Sequence, residues 1–477
     1  MNMKKIISLI MCTAIAGGLC SCGGNKETKV DTLTWYLPTN NNLTAKAEVE
    51  EEINKITVPE IGAKVHIETI DMGAYGEKMR MKMAAGDSDF DLMFVGYLSS
   101  YAEGISNEVL APLTELIDKN APELWDAIDD YIWDDVKYKD EIYAVPNVQI
   151  EAVQLAYGIQ KSLAEKYGFD KESIEAPEEL EDFLAKVKAG EPDIYPYRTN
   201  YGNVMWTGNN YEEVAGGMVL PTEGDSTELI YSYDTPEYQQ SLKTLRDWYL
   251  KGYIRKDVAS VTDDDTDFKA KRYGVFSVTW KPGIESIYPD YHFVKVGKAL
   301  VKNGGTRATM IGINHKSKNK EKAVKLISLV NTNKELYNLI SLGIKDKNYT
   351  VNADGKYSEI KDSGYGIQAW MVGNQFNALI NENQDDDVWA KTKEFNDSAA
   401  KSRIAGFWFS DKNIKPQITA LGTIGSEYSA LANGSRDSEV IFKEMMQRYE
   451  DAGLEDVKND IQKQIDEFFA SKNQKGK

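Results

Sequence analysis

The chain has 477 residues, with 56 Lys and Arg against 75 Asp and Glu, and a formal net charge of −19. Its 42% hydrophobic and 27% charged residues are ordinary for a globular protein, and this length predicts two to three domains. The acidic balance argues against a nucleic-acid or anionic-lipid partner, because both require clustered cations. We therefore expect a folded multidomain protein that does not bind nucleic acid.

The N-terminus has the pattern of a secretory signal. Two lysines precede an apolar run, Ile6–Leu19, that is too short to span a bilayer. A leucine three residues before Cys22 and a serine directly before it resemble the bacterial lipobox. We predict a signal peptide over 1–21, a lipid on Cys22 and a tether over 22–30. The alternative is an ordinary secretory signal with incidental cysteines; processing at Cys22 leaves no free thiol for a disulfide or a metal.

The first hundred residues alternate between strand and helix patterns. Strands are predicted at 33–36, 63–69 and 90–95, and helices from residue 44 and over 75–85. This order is typical of a doubly wound parallel sheet, in which ligands bind beyond the carboxyl ends of the strands. The rule points to residues 38–42 and 96–100 as binding loops.

Longer helices are predicted in the rest of the chain. Thr235-Pro236 is an N-cap followed by a first-turn proline, and it opens a helix that ends at Gly252. Further elements are expected at 176–190, 275–279, 309–314, 320–330 and 334–342. The last sixty residues are predicted to be helical, with apolar core stripes at Val440, Met445, Tyr449, Val457, Ile461, Ile465 and Phe468. An α/β body with a helical C-terminal segment follows.

A search for catalytic motifs finds no phosphate loop, nucleophile elbow or zinc helix in the sequence. The three histidines are scattered along the chain, and the Ser-x-x-Lys matches lack their partner motifs. The run 263–267 has the alternating oxygens of a calcium loop but neither its glycine nor its closing glutamate, so we interpret it as a solvated loop. We expect no cofactor, no metal and no catalytic residues, although paired carboxylates for glycoside cleavage remain an open alternative.

Several segments together resemble one known family. Those at 75–94, 108–117, 142–147, 271–280 and 309–314 are similar to the family 1 extracellular solute-binding lipoproteins of bacterial ABC importers. Those at 337–349, 373–376 and 406–409 resemble its LipO-type branch, which has a C-terminal domain of unknown function.

The resemblance implies a periplasmic-binding-protein-like fold with two doubly wound α/β lobes around a hinged cleft. Lobe one would comprise 30–147 with 308–345, lobe two 148–307 with 346–470, and 471–477 would be a tail. We also expect a monomer that is lipid-anchored through Cys22 on the extracytoplasmic face of the cell membrane. Such a protein closes on its ligand and delivers it to ABC permease subunits.

A carbohydrate is the ligand we expect, because sugars need aromatic faces and planar amides. The candidate ligand-binding residues are Trp35, Asn40, Tyr97, Asn147, Trp206, Trp280, Trp370 and Asn374. Trp280 is the foremost of them, because it ends an apolar strand just before a turn. Trp370 and Asn374 are expected on one helical face. For Trp408 the sequence does not decide between the cleft and the core. The alternatives are a peptide or other small polar solute in the same role, or a surface-anchored glycan or peptide hydrolase.

Overall fold

The computed structural model describes residues 30–199, 209–261 and 263–475. Two α/β lobes, each with its own sheet and apolar core, make up this part of the chain. This architecture confirms the expected two-lobed class. No helix of the described ranges is long and apolar enough to cross a membrane.

The strands and helices are numbered in chain order. The strands are β1 Asp31–Pro38, β2 Ala63–Ile70, β3 Leu92–Gly96, β4 Ala144–Pro146, β5 Val153–Gln160, β6 Ser173–Ile174, β7 Tyr195–Arg198, β8 Tyr211–Ala215, β9 Met218–Pro221, β10 Ile230–Tyr231, β11 Tyr273–Trp280, β12 Tyr291–Val301, β13 Thr309–Ile313, β14 Tyr349–Val351, β15 Tyr357–Glu359 and β16 Ala400–Lys401. The helices are α1 Lys46–Ile61, α2 Met72–Ala85, α3 Tyr101–Ser106, α4 Thr114–Asn120, α5 Glu123–Ala127, α6 Asp130–Val136, α7 Lys161–Tyr167, α8 Glu181–Gly190, α9 Pro236–Lys251, α10 Asp265–Lys269, α11 Ile284–Ile287, α12 Lys320–Thr332, α13 Lys334–Leu342, α14 Val388–Ser398, α15 Lys415–Glu427, α16 Ser438–Asp451 and α17 Leu454–Lys475.

Lobe one is built on a five-stranded sheet in the order β2-β1-β3-β13-β4. Strand β1 is parallel to β2 and β3, as its sequence pattern predicts, whereas β13 runs antiparallel to β3 and β4. Strands β1, β3 and β4 therefore end at the edge where β13 begins. We call this the crossing edge, because the chain leaves lobe one and returns to it there.

Lobe two has a sheet in the order β16-β12-β5-β11-β7, with β6 also paired to β12. Its centre is antiparallel, since β5 runs against both β11 and β12, and in this it differs from the expected doubly wound parallel lobe. The reason is topological: the chain enters on β5 and leaves through β12 at the same edge of the sheet. A strand that begins at one edge of a sheet and a strand that ends at that same edge must run in opposite directions.

Helix signals in the sequence place most helices well. The Thr235 hydroxyl accepts the Tyr238 N–H at the start of α9, and Gly252 ends that helix in the left-handed region. In α16, however, the buried stripe passes through Ile441, Met445 and Tyr449, while Val440 is 64% exposed. The expected core position of Val440 is wrong, because a side chain five residues before Met445 lies off the face that four-residue spacing defines.

The boundary of lobe one also differs from the expected one. The lobe-one core includes Tyr365, Ile367, Met371, Val372 and Ala378, all from the stretch expected in lobe two. The Tyr365 hydroxyl donates to the carbonyl of Ile340 in α13, which fixes this return. Three crossings then connect the lobes, and we define them as the first crossing (147–152), the second crossing (302–308) and the third crossing (379–399).

Candidate functional site

An aromatic pair, Tyr97 and Trp370, lies at the crossing edge of lobe one. Tyr97 directly follows β3 and is 57% exposed, and Trp370 is half-buried on the short turn Ala369–Met371. Their ring centroids are 5.6 Å apart at an interplanar angle of 40°. Both rings make T-shaped contacts with Phe94, with ring centroids 6.0 and 5.9 Å apart. The structure thus brings together two residues that the sequence placed only separately.

Tyr97 is fixed by the second crossing. Its N–H donates to the carbonyl of Ala308 at 3.0 Å. The residue before it, Gly96, has φ +142°, and a Cβ there would lie 1.9 Å from the same carbonyl oxygen. Only glycine permits this approach, so the position of the Tyr97 backbone is tied to that of the second crossing.

Trp370 is fixed at both ends of its turn. The Tyr337 hydroxyl donates to the carbonyl of Ala369 at 2.6 Å. On the other side, the Gly373 N–H donates to the side-chain oxygen of Asn147 at 2.8 Å. The Trp370 segment is therefore attached to the first crossing, which begins at Asn147.

The three predicted amides have different surroundings. Asn40 is exposed at the crossing edge, where its side chain accepts the Met72 N–H at 3.1 Å. Asn147 is only 1% exposed, so in this structure it offers no surface to a ligand. The Asn374 side chain accepts the Phe376 N–H and caps the next turn. The expectation of one helix carrying Trp370 and Asn374 is wrong, because Gly373 between them has φ +72°.

The prediction that Trp35 binds the ligand is contradicted by its burial. The side chain is 0% exposed in the core of lobe one, among the alternate residues of β1 that point inward. A tryptophan within an apolar strand thus fills the core. Trp206 and Cys22 lie outside the described residues.

Trp280 ends β11 at the edge of lobe two where the first crossing enters. It is paired there with Gln154 of β5 and is half-buried. The ammonium group of Lys295 lies 3.8 Å from its ring centroid, and the Phe395 ring packs against it at 4.9 Å. The strand therefore ends where the sequence predicts, but the ring has close neighbours on lobe two and on the third crossing.

Trp408 belongs to the packing between the lobes. Its indole N–H donates to the carbonyl of Lys137 at 2.7 Å, and the Arg307 guanidinium lies 4.4 Å from its ring centroid. The rings of Tyr101 and Tyr138 pack against it at 5.4 and 5.1 Å. We therefore assign Trp408 to the structural contact between the C-terminal segment and lobe one.

A buried carboxylate of lobe one, Asp135, connects the second crossing to the C-terminal segment. It accepts the Gly304 N–H at 3.0 Å, the Thr306 hydroxyl at 2.7 Å and the Gly406 N–H at 3.3 Å. The guanidinium of Arg307 completes the set at 3.4 Å. Burial lowers the pKa of Arg307, and the nearby Asp135 carboxylate opposes that shift.

Two further buried carboxyl groups lie beside the crossings. Glu212 of lobe two accepts the Asn303 N–H and the Ser402 hydroxyl, each at 2.5 Å. Burial raises the pKa of Glu212, and these two donors oppose the shift. Burial also raises the pKa of Glu151, in the first crossing, to about 8, with the Gln149 N–H opposing it. Sequence reasoning missed this crossing cluster of Asp135, Glu151, Glu212 and Arg307, because no spacing in the sequence signals it.

The acidic run at 263–267 is engaged by arginines. Arg198 forms a bidentate contact with Asp264, and Arg255 pairs with Asp267 at 3.0 Å. Within the described ranges, no group of three or more histidine, cysteine or acidic side chains could hold a metal ion. The structure thus gives these carboxylates ion-pair partners within lobe two.

Two family models match the chain. The model described as "Bacterial extracellular solute-binding protein" covers residues 40–336, and a domain of unknown function, DUF3502, covers residues 403–470. Among curated proteins, a carbohydrate ABC transporter substrate-binding protein of Streptococcus pneumoniae is 30% identical over 490 residues, which cover 96% of this chain and 97% of that protein.

Solved structures of one protein are similar over nearly the whole chain. The N-glycan transport solute binding protein (NgtS) of Streptococcus pneumoniae is 28% identical, with a TM-score of 0.83 over 93% of this chain and 100% of that chain. Its complex with Man1GlcNAc gives 0.72 over 92% and 99% of the two chains, and its complex with Man5GlcNAc gives 0.69 over 93% and 99%.

Proposed function

The chain belongs to the family of bacterial extracellular solute-binding proteins, and from this membership we propose that it captures an oligosaccharide between its lobes and delivers it to the permease of an ABC importer. The names of its relatives support a carbohydrate ligand, since one is a carbohydrate ABC transporter substrate-binding protein and the other is named for N-glycan transport. The family consists of binding proteins, so the role we assign is capture without turnover.

The aromatic pair is the observation on which this proposal depends. Sugar rings present flat C–H faces that stack on aromatic side chains, while their hydroxyls bond to amides and carboxylates. Tyr97 exposes more than half of its surface at the crossing edge, beside the half-buried Trp370. Asn40 lies at the same edge of the sheet and supplies an exposed amide. A neutral, hydroxyl-rich ligand suits this combination.

Closure of the lobes around the ligand is supported by the comparison with the pneumococcal protein. This chain matches the structure named without a glycan better than the two glycan complexes, with TM-scores of 0.83 against 0.72 and 0.69. The three structures of the pneumococcal protein therefore differ in how closely they match this chain. We propose that the lobes here are open and that a ligand shifts the population toward a closed form.

Trp280 is our candidate for the opposite wall of the cleft, on lobe two. It ends β11 at the edge of the sheet that the first crossing enters, and it remains half-exposed beside Lys295. Trp280→Ala should weaken binding by at least about thirtyfold, the typical effect of losing a desolvated aromatic anchor. Unchanged affinity combined with a large drop in melting temperature would assign the ring to packing alone.

Calorimetric titration of the mature protein with a panel of glycans tests the function. The panel comprises Man1GlcNAc, Man5GlcNAc, linear gluco-oligosaccharides and, as the alternative cargo, short peptides. We expect saturable binding of at least one glycan, and a ligand at 100 times its Kd should add about 2.7 kcal/mol of stability. Binding of peptides alone would refute the carbohydrate assignment, and release of shorter glycans during incubation would refute capture without turnover.

Three variants, two at the site and one control in a core, test the site itself. Tyr97→Ser and Trp370→Ala each remove one ring of the aromatic pair, whereas Trp248→Ala removes a ring that is 1% exposed in the core of lobe two. The first two variants should lose most of their glycan affinity and keep their melting temperatures. The third should lose about 3–5 kcal/mol of stability instead. Equal affinity in the parent and both lobe-one variants would place the ligand elsewhere.

We also propose that Cys22 carries lipid and that the mature protein is an anchored monomer. The motif before Cys22 and the polar stretch after it support an anchor with a tether. A Cys22→Ala protein should appear in the soluble fraction, and light scattering of the mature domain should give the mass of one chain. Retention of Cys22→Ala on membranes after a carbonate wash would refute the anchor, and twice the mass would refute the monomer.

A further inference from the structure

We propose that Asn147 is a positioning residue for ligand recognition, acting through Gly373 to set the Trp370 ring beside Tyr97. The inference rests on the proposed function, because it assigns a role within the same site. Asn147 has no exposed surface with which to meet a ligand, so its effect on binding must pass through the residues that it holds.

In the part of the chain that the structure describes, the Asn147 side chain makes one hydrogen bond, to the backbone of Gly373. Its side-chain oxygen accepts the Gly373 N–H at 2.8 Å, and its own N–H donates to the carbonyl of Thr309 at 2.9 Å. The side-chain NH2 group is buried and has no hydrogen-bond partner among the described residues. Leaving such a group unpaired costs about 1–3 kcal/mol. A leucine has the same branched skeleton and would avoid that cost, but it would leave the Gly373 N–H without its acceptor, so the bond to Gly373 is what an asparagine adds here.

The contact fixes a turn that has little freedom. Gly373 has φ +72°, and a Cβ on it would lie 2.6 Å from the carbonyl oxygen of Val330. The backbone of this turn therefore lies close against α12. Next to it, the Gln375 N–H donates to the carbonyl of Val148 at 2.8 Å, so two successive residues of the first crossing hold the segment.

Trp370 lies three residues before Gly373, and its other anchor is the Tyr337–Ala369 hydrogen bond. With Asn147 in place, the turn is held from both sides and the ring stays 5.6 Å from Tyr97. Without the Asn147 acceptor, the Gly373 N–H loses its partner, and on this side the turn is held only by the Gln375–Val148 hydrogen bond. A stacking site is sensitive to such a shift, because ring placement of about 1 Å affects recognition.

Asn314 provides a matched control at the opposite end of the same sheet. It is 2% exposed, its oxygen accepts the Lys316 N–H at 2.9 Å, and its NH2 donates to the carbonyls of Asp87 and Phe90. Asn314→Leu removes more hydrogen bonds than Asn147→Leu does but lies far from the crossing edge. It should lower stability and leave affinity unchanged.

The experiment is a double-mutant cycle with Man5GlcNAc as the probe, read by calorimetry. We expect Asn147→Leu to weaken binding about tenfold, with a smaller loss of melting temperature than Asn314→Leu. In the Trp370→Ala background, Asn147→Leu should have no further effect, because its role passes through that ring. Asn147→Asp keeps the acceptor for the Gly373 N–H and should retain most of the affinity. If Asn147→Leu does not fold, Asn147→Ala takes its place.

Three results would overturn the proposal. Normal affinity in Asn147→Leu, together with weak binding by Trp370→Ala, would refute the positioning role and leave the proposed function intact. An equal loss of glycan affinity from Asn147→Leu in the parent and in the Trp370→Ala background would show that Asn147 does not act through the Trp370 ring. Parent protein that fails to bind the probe, or Trp370→Ala that binds as tightly as the parent, would count against both the site and the inference.

Discussion

Replacing Asp135 by asparagine should destabilise the junction between the lobes more than any exposed charge change. The Asp135 and Arg307 side chains are 4% and 13% exposed, and their charged atoms are 3.4 Å apart. At an effective dielectric constant of about 20, two unit charges at that distance attract by about 5 kcal/mol. Loss of one partner of a buried pair typically costs about 3–5 kcal/mol, because the other charge remains buried and unpaired. The two estimates agree.

Urea unfolding followed by tryptophan fluorescence measures the effect. Asp135→Asn should lower the free energy of unfolding by about 3–5 kcal/mol. Glu115→Gln is the control, because its partner Lys119 lies on an exposed helix surface where such pairs contribute less than about 1 kcal/mol. Adding Arg307→Met to Asp135→Asn should recover part of the loss, since no unpaired ion is then left. An Asp135→Asn loss no larger than that of Glu115→Gln would refute the reasoning.

Three further predictions concern other parts of the molecule. The pKa of Glu151 is raised from 4.5 to about 8, so between these pH values the folded state binds a proton that the unfolded state has lost. The free energy of unfolding should therefore fall as pH rises through this range, by up to about 1.4 kcal/mol per pH unit. Unfolding measured at several pH values should show this fall in the parent and not in Glu151→Gln. Gly96→Ala should displace the second crossing and lower both glycan affinity and melting temperature, whereas Gly168→Ala, with open space around it, should cost only about 1–2 kcal/mol of backbone strain. Ile441→Ser should cost at least about 2 kcal/mol in urea unfolding; an equal cost for the exposed Val440→Ser would contradict the assigned face of α16.

Local signals explain the elements that sequence reasoning placed correctly. The Thr235 cap and the glycine at residue 252 mark the ends of α9, because capping depends on neighbouring residues only. Strand-end geometry likewise placed Tyr97 at an edge where ligands bind in open α/β sheets. Trp35 shows the limit of that reasoning, since alternation within a strand does not by itself identify the buried face.

Contacts between distant segments account for what the sequence did not reveal. Between Asp135 and Arg307 the chain passes through strands β5 to β12 of lobe two, and no periodicity in the sequence connects the two residues. The same applies to Asn147, whose partner Gly373 lies in another segment of the chain. The stretch over 365–378 lies in lobe one and not in the expected lobe two, because turn signals in a sequence specify local shape and not the core against which a segment packs.

The return of residues 365–378 to lobe one bears on the order in which the chain can fold during synthesis. The lobe-one core lacks five of its buried side chains until that segment has emerged, although its first strand lies at residues 31–38. Lobe two needs α17, whose Val457, Ile461 and Ile465 are fully buried in its core. Neither lobe is therefore a contiguous unit that can finish ahead of the other, and a nascent chain shorter than about 380 residues holds two incomplete cores. Truncation at the third crossing should yield an aggregating fragment and not an isolated domain.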